Sequence, residues 1–517
     1  MRLAELADKR VAVWGYGREG RAALSILLQQ FPDQLLTVFC SEAEAADLSF
    51  SRREKVPERR MRGEPLNSRE VAEDTNHFPS SGAARRLLPA GEGKQGIAVI
   101  TTPPSAAVLA GFDIVIKSPG VSPYRAPYPQ AKAAGVYFTS GSALWFAEHA
   151  QAHTICVTGT KGKSTVSALI AHLLRQRGLC VALAGNIGLP LLDLLQPPRE
   201  PDWWVIELSS FQTRDFDGEP TIAVINNVYE EHLDWHGERK AYVADKLAIA
   251  ARAQCVVVNA QQSELDSLVV PGERIRFNNE DGWHVRGDAI FRAGERILAL
   301  ASIPLPGLHN AQNVSAAFAA IEAAGFFEEC GQGWPLRDLR DQGRTQRYTA
   351  LAQHVASFKP LPHRLQTLGT RDGIEWINDS IATTPYAAIE ALRSLTGRTV
   401  TILVGGFDRG VDWGPFVDFV AKTPPQAIVT TGANGAAIAD ALRHIVDQGF
   451  VLDSAPVLHE ALARAQALTP VGGVILLSPG APSFDQFHDY AERGREFARL
   501  AGFDSTAISE IEGLGIA

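Results

Sequence analysis

"HTICVTGTKGKSTVSALIAHLLRQRG", His153 to Gly178, decides how this chain is read. "HTICV" suits a buried strand, "GTKG" a tight turn, and "KSTVSALIAHLL" a helix with apolar residues at helical spacing. Backbone N–H groups of such a turn and the positive end of the following helix both face an anion. Lys163 can reach the outer phosphates of a nucleotide, and Ser164 or Thr165 can offer a hydroxyl to Mg²⁺. Only two residues separate Gly159 from Gly162, so the turn is tighter than the longer G-x-x-x-x-G-K-[ST] loop and points away from G-protein-like folds. A glycine turn with a solvated lysine is the plain alternative. The joint phasing of both glycines, the lysine and the Ser-Thr pair weighs against it.

At 517 residues the chain is too long for one core. Hydrophobic residues make up 45% and charged residues 21%, an ordinary balance for a soluble globular protein. A net charge of −9 opposes nucleic acid as the main partner. The cysteines (Cys40, Cys156, Cys180, Cys255, Cys330) are scattered, which suits reduced thiols rather than a zinc ribbon or a disulfide framework. No run of 18 apolar residues occurs, and the start of the chain lacks an uninterrupted apolar segment, so a cytoplasmic protein without membrane contact is expected.

Strand and helix patterns alternate on both sides of the opening stretch. "RVAVWGYGREGRAALSILL" and "LLTVFC" begin a first α/β unit, and "FDIVIKSPG" continues it. Residues 41–95 are rich in Arg, Glu, Ser, Pro and Gly and read as a flexible insertion. "CVALAG", "WWVIELS", "IAVINNV" and "CVVVNA" extend the central unit, and "GERIRF" to "SIPLPG" reads as a small antiparallel patch. "EWIND", "TVTILVGG", "AIVTTG" and "VILLSPG" form a third unit. Three α/β domains with mostly parallel sheets are expected, over 1–151, 152–357 and 358–517.

"GYGREG" (Gly15, Gly17, Gly20) fits G-x-G-x-x-G after a strand, but Cys40 stands where an acidic ribose partner would end the second strand. A diphosphate other than a dinucleotide, such as a nucleotide-sugar, is the better fit. Glu207 ends an apolar strand and suits Mg²⁺, with a helix cap or solvent-facing carboxylate as the alternative. "NNVYEEHLDWHG" gathers Glu230, Glu231, His232, Asp234 and His236, of which His236 reads equally as a satisfied core histidine. Lys246 reads by itself as a solvated helix lysine.

Together "SPGVS", "TGTKGKST", "GNIGLP", "ELSSFQ", "EEHLDWHG", "YVADK", "GLHNAQN", "LPHRL", "WINDSIATT", "GGFDRG" and "LLSPGAPSFDQF" resemble the Mur ligase family, most closely its glutamate-adding MurD type. The resemblance covers nearly the whole chain outside 41–95. It implies a Rossmann-like N-terminal domain, a central P-loop ATPase domain and a Rossmann-like C-terminal domain. The implied activity is ATP-dependent addition of glutamate to UDP-N-acetylmuramoyl-L-alanine through an acyl phosphate, in peptidoglycan precursor synthesis. ATP and two Mg²⁺ ions are the implied cofactors, and a monomer is expected.

Site roles follow from the resemblance. Gly159, Thr160, Lys161, Gly162, Lys163, Ser164 and Thr165 would cradle ATP. Ser164 and Glu207 would hold one Mg²⁺, and His232 with a carbamylated Lys246 the second. Asn310 and Asn313 would lie on the adenine side, and Arg364 and Asp379 would grip ATP from the C-terminal domain. Gly15, Gly17, Arg18, Ser118, Gly120 and Asn186 would hold the UDP-muramoyl moiety. Thr383, Arg409, Ser483 and Tyr490 would hold glutamate. Where D-glutamate-adding members read D-S-K-A-T-N, this chain reads "DSIATT", so Ile381 replaces a lysine that would pair with a carboxylate. Losing that cation favours a different acceptor pose and hence L-glutamate, with D-glutamate as the alternative. A folylpolyglutamate synthase-like ligase would leave the N-terminal domain unexplained, and an NAD-dependent oxidoreductase would leave the ATP loop idle.

Overall fold

Short apolar strands alternating with amphipathic helices give three mostly parallel sheets in the computed structural model, which describes residues 1–53, 86–87, 96–229, 231, 233–305, 307–329 and 344–517. The first sheet contains β1 (Val11–Trp14), β2 (Leu36–Phe39), β3 (Arg86–Leu87), β4 (Ile97–Ile100), β5 (Ile114–Lys117) and β6 (Tyr137–Thr139) in the order β3-β4-β2-β1-β5-β6. Its strand order reverses at β1, between β2 and β5. A ligand crevice forms at such a switch point, beyond the carboxyl ends of the strands. The turns after β1 and β5 carry Gly15–Gly17 and Ser118–Gly120 to that place.

Part of the expected 41–95 insertion is regular structure. The Ala- and Glu-rich stretch Glu42–Arg53 is a helix, with Leu48 buried in the N-terminal core, and β3 pairs antiparallel with β4. Alanine and glutamate are strong helix formers, which the compositional reading of the whole segment overlooked. The rest of that segment, 54–85 and 88–95, lies outside the described residues.

The central sheet runs through β7 (Thr154–Thr158), β8 (Val181–Gly185), β9 (Trp203–Glu207), β10 (Ile222–Ile225), β11 (Cys255–Asn259), β12 (Glu273–Phe277), β13 (Trp283–Arg286), β14 (Ala289–Arg292) and β15 (Glu295–Ala299). Their order is β15-β14-β13-β12-β11-β10-β7-β9-β8. Val157 stands opposite Glu207 on one side and Val224 on the other, which brings the Gly159–Gly162 turn, Glu207 and Asn226 to one end of the sheet. The stretch expected as a small antiparallel patch is antiparallel in β13–β15 and continues the central sheet. β12 joins β11 in parallel, and only β13–β15 form antiparallel hairpins. In the second hairpin, Ala293 and Gly294 take φ of 47° and 88°, the left-handed pair a tight two-residue connection requires.

The third sheet orders β16 (Gln366–Arg371), β17 (Ile374–Asn378), β18 (Val400–Val404), β19 (Ala427–Thr430), β20 (Val451–Ser454) and β21 (Val474–Leu477) as β16-β17-β21-β18-β19-β20. After it the chain returns, and β22 (Gly515–Ile516) pairs antiparallel with β8 at the edge of the central sheet. The span 358–517 is therefore not one unit: Phe358 and Leu361 also pack into the central core.

The N-terminal and central domains share one apolar core. It runs from Val13 and Leu27 through Trp145 to Trp204 and Ile206, with the two indole rings 4.6 Å apart. The C-terminal sheet has its own apolar layers on its two faces. Among the described residues no helix is long and apolar enough to cross a membrane.

Candidate active site

The turn after β7 is shaped by what crowds it. Gly159 and Gly162 take φ of 155° and 79°, in the region that favours glycine. A Cβ on Gly162 would lie 2.4 Å from Asn313 Oδ1 and 2.6 Å from Asn226 Nδ2. Asn227 Oδ1 accepts from Lys161 N at 2.8 Å, and Asn226 and Asn227 each donate to Lys161 O at 3.0 Å. Thr160 Oγ1 pairs with Tyr242 OH at 2.6 Å. Gly162 caps the helix Lys163–Arg175, whose N–H groups open into the turn, with Ser164 half-buried and Thr165 buried in its first turn.

Cations converge here. Lys163 Nζ donates to Gly159 O at 2.9 Å and Thr160 O at 3.1 Å, and Lys246 Nζ donates to the same Gly159 O at 2.9 Å. Burial pulls Lys163 below the usual lysine range, against the opposing fields of Glu207 and Glu231. Lys246 is buried, and that burial, reinforced by Lys163, brings it down to about 7. The solvated-lysine reading of Lys246 therefore fails. Arg364 also acts on Lys163, and its half-buried side chain leaves Nε without a hydrogen-bond partner among the described residues. Like charges gathered at a ring of N–H groups suit a polyanion.

Glu207 is buried, accepts from Asn186 Nδ2 at 2.6 Å on Oε1, and leaves Oε2 without a partner among the described residues. A spare buried carboxylate oxygen beside a phosphate turn fits Mg²⁺, which takes one or two carboxylates together with phosphate and water oxygens. Among the described residues no three His, Cys, Asp or Glu side chains form a ready cage. His232 and Glu230 lie outside the described residues. Glu231 pairs with Lys161 at 2.7 Å. His236 is a satisfied core histidine, between Asp245 and Ser210.

Asn313, expected with Asn310 on the adenine side, lies against Gly162 of the glycine turn. Both asparagines are buried, Asn313 Nδ2 donates to Asn310 Oδ1 at 3.2 Å, and Asn313 Oδ1 accepts from Asn226 at 2.9 Å. Helix Leu308–Glu329 packs on helix Lys163–Arg175, and the Asn313 amide fills the space that a side chain at Gly162 would need.

At the N-terminal crevice Ser118 Oγ donates to Gly15 O at 2.9 Å, and a Cβ on Gly20 would meet that same oxygen at 1.9 Å. Gly17 and Gly120 face open space. Arg18 reaches Gly188 O at 3.3 Å, beside the Asn186 turn, which joins this crevice to the central site.

In the C-terminal domain Arg364 sits between His363 and Leu365, at φ of 58° and 43°, strain of the kind held at ligand sites. Asp379 accepts from Leu365 N at 3.1 Å and Ser478 Oγ at 2.7 Å, and burial raises it to about 6. It anchors the arginine's loop with both oxygens already engaged. Ser483 is buried, Thr383 half-buried, and Arg409 and Tyr490 exposed. Sequence reasoning missed Arg493, which donates to Ser380 Oγ and to the carbonyls of Ser380, Ala481 and Pro482 and so stitches the two loops bearing Thr383 and Ser483. It also missed Asn226 and Asn227, signalled only by a doubled Asn at a strand end.

The chain matches the Mur ligase middle domain over residues 157–321 and the Mur ligase glutamate ligase domain over 363–480. It is 46% identical over 530 residues to a UDP-N-acetylmuramoyl-L-alanine–L-glutamate ligase of Xylella fastidiosa, with 100% of both chains covered. A protein of the same name from Xanthomonas euvesicatoria is 45% identical with 100% of both covered, and one from a Micromonospora species 34% identical with 96% and 97% covered. Among solved structures, the fold is similar to the UDP-N-acetylmuramate–alanine ligase MurC of Thermotoga maritima, with a TM-score of 0.56, 17% identity, and 96% and 99% of the chains covered.

Two outcomes follow from this geometry. Gly162→Ala should destabilise the fold by about 1–2 kcal/mol or more, since a left-handed Cβ costs that much alone and the clash adds to it. Chemical denaturation with unchanged stability would refute the tight-turn argument. Asp379 is raised to about 6 when folded, so above the ordinary carboxylate range the folded state holds the extra proton. Its contribution to stability is present below about pH 4 and is lost as pH rises to about 6. Denaturation of wild type and Asp379→Asn at stepped pH should show the difference between them changing over that window and level above it.

Proposed function

Because the chain belongs to the Mur ligase family, whose members are ATP-dependent amide-bond ligases, we propose that it joins L-glutamate to UDP-N-acetylmuramoyl-L-alanine in peptidoglycan precursor synthesis, as a cytoplasmic monomer. The observation that carries the reading is the convergence of Lys163 and Lys246 on the carbonyl of Gly159 in the glycine turn, with the unpartnered oxygen of the buried Glu207 at the same end of the sheet. The names of full-length relatives support the substrates. Ile381 in place of a lysine supports the L enantiomer.

In this reading the N-terminal crevice (Gly15, Gly17, Arg18, Ser118, Gly120, with Asn186) holds the nucleotide-sugar. Its terminal carboxylate faces the γ-phosphate of ATP lying on Gly159–Thr165. A carboxylate oxygen attacks the γ-phosphorus and ADP departs with the bonding pair of the broken P–O bond. Lys163 and Arg364 bear on the charge of the transferring group. The acceptor amine then attacks the acyl carbon, the C–O bond to phosphate breaks, and the nitrogen loses a proton to leave the amide. Thr383, Arg409, Ser483 and Tyr490 orient the acceptor, with Arg493 fixing their loops. Mg²⁺ held by Ser164 and Glu207, and a second ion by His232 and Lys246, would screen the phosphate oxygens that must approach one another. For that second role Lys246 must become an anion. A buried amine near 7 is neutral often enough to add to CO₂, losing a proton and leaving a carbamate oxygen.

Lys246→Ala should lose activity and regain part of it with formate or acetate, whose carboxylate replaces the missing anion. Full activity without additive would return the residue to a structural role. Side-by-side kinetics with both enantiomers should give the higher kcat/KM for L-glutamate, and a preference for D-glutamate would overturn that assignment.

A further inference from the structure

The helix Arg239–Leu247 touches three places at once. Tyr242 pairs with Thr160 of the phosphate turn, Lys246 donates to Gly159 O, and Asp245 points the other way, towards the N-terminal domain. Asp245 is 5% exposed. Its carboxylate takes Tyr124 OH at 2.7 and 2.8 Å, His236 Nδ1 at 2.8 Å and Arg214 Nε at 3.2 Å. His236 Nε2 in turn meets Ser210 Oγ at 3.0 Å. Serine, histidine and aspartate in line form the relay of a hydrolase, but here Ser210 is 3% and His236 1% exposed, so no substrate reaches the hydroxyl. The line does something else.

Tyr124 closes the segment that begins with Ser118 and Gly120. That segment is bolted to the central domain along its length. Trp235 Nε1 donates to Gly120 O at 3.1 Å, Ser122 Oγ donates to Trp235 O at 2.7 Å, and Lys117 pairs with Asp215 at 2.5 Å. Asp245 is the one described carboxylate that joins this segment to the helix of Lys246. We propose that Asp245 is a positioning residue for the ligase reaction, tying the nucleotide-sugar segment, through Tyr124, to the placement of Lys246. The inference rests on the functional reading above, in which Ser118 and Gly120 contact the nucleotide-sugar and Lys246 serves the phosphate site. A carboxylate suits the task because it accepts from both sides at once, and its own burial fixes the helix at a set distance from the segment.

The test uses the full chain with UDP-N-acetylmuramoyl-L-alanine, ATP and L-glutamate. Tyr124→Phe removes one hydroxyl at a position 41% exposed, so the fold and melting temperature should be kept. It should raise KM for the nucleotide-sugar and lower kcat, each about tenfold, the scale on which small misplacements of positioned reactants act. KM for glutamate, bound in another domain, should not move. Asp245→Asn should do the same, and the double variant should be no worse than Asp245→Asn alone, since both changes act on one cluster, in which Arg214 Nε also donates to Tyr124 OH at 3.2 Å. Wild-type constants in Tyr124→Phe, losses that multiply in the double variant, or equal shifts in both KM values would overturn the proposal. If Asp245→Asn does not fold, Tyr124→Phe decides alone. Absence of turnover by the wild-type chain with this nucleotide-sugar would sink the functional reading and the inference together, whereas wild-type turnover with unaffected variants sinks only the inference.

Discussion

Two lysine ammonium groups share one carbonyl oxygen, that of Gly159, and much of the central site follows from this. The oxygen is available to both only because Gly159 lies at a φ no side chain favours and Asn226, Asn227 and Asn313 fill the space around the turn. Burial lowers both amines, and at Lys246 the field of Lys163 adds to it, so that this amine comes down to about 7 and is chemically unlike any surface lysine. A backbone constraint thus sets the reactivity of a side chain 87 positions away in sequence.

The site also depends on how its domains are joined. The N-terminal and central domains meet through a continuous apolar core around Trp145 and Trp204, with polar contacts along Lys117–Tyr124 and, on the helix that follows Gly17, from Arg18 and Glu19. Dispersion and burial are non-directional and hold the two bodies together, while the hydrogen bonds specify their register. The C-terminal domain has its own core, in which Arg493 ties the Ser380 and Ser483 loops together, and its Arg364 comes near enough to bear on Lys163 of the central domain.

Much of this was legible in the sequence because the signals were local. The strand-turn-helix at Thr154–Arg175 announces itself through period and glycine spacing, and so do β1, β5, β9 and β17. Glu207 was legible as a strand-end carboxylate. What the sequence hid was pairwise and distant. Nothing in "YVADK" says that Asp245 faces Tyr124 while its neighbour Lys246 faces Gly159, because that split depends on which domain packs on which side of the helix. The contact of Asn313 with Asn226 was equally hidden, because a motif carries no sign of which strand end it will meet. The helix Glu42–Arg53 was lost in the composition of the longer segment around it. The parallel pairing of β12 was hidden for a similar reason: a short strand with exposed charged residues gives no sign of its partner's direction.

The return of the chain to β8 has a mechanical consequence. The C-terminal domain leaves the central one near Phe358 and comes back to it at Gly515, where Arg175 holds the returning segment by its carbonyl. A body fastened at one point can tumble in three directions, whereas a body fastened at two keeps only the swing about the line between them. Any movement of Arg364 and of the Ser380 and Ser483 loops relative to the central domain is then confined to a single angle, and little orientational entropy is left to the C-terminal body.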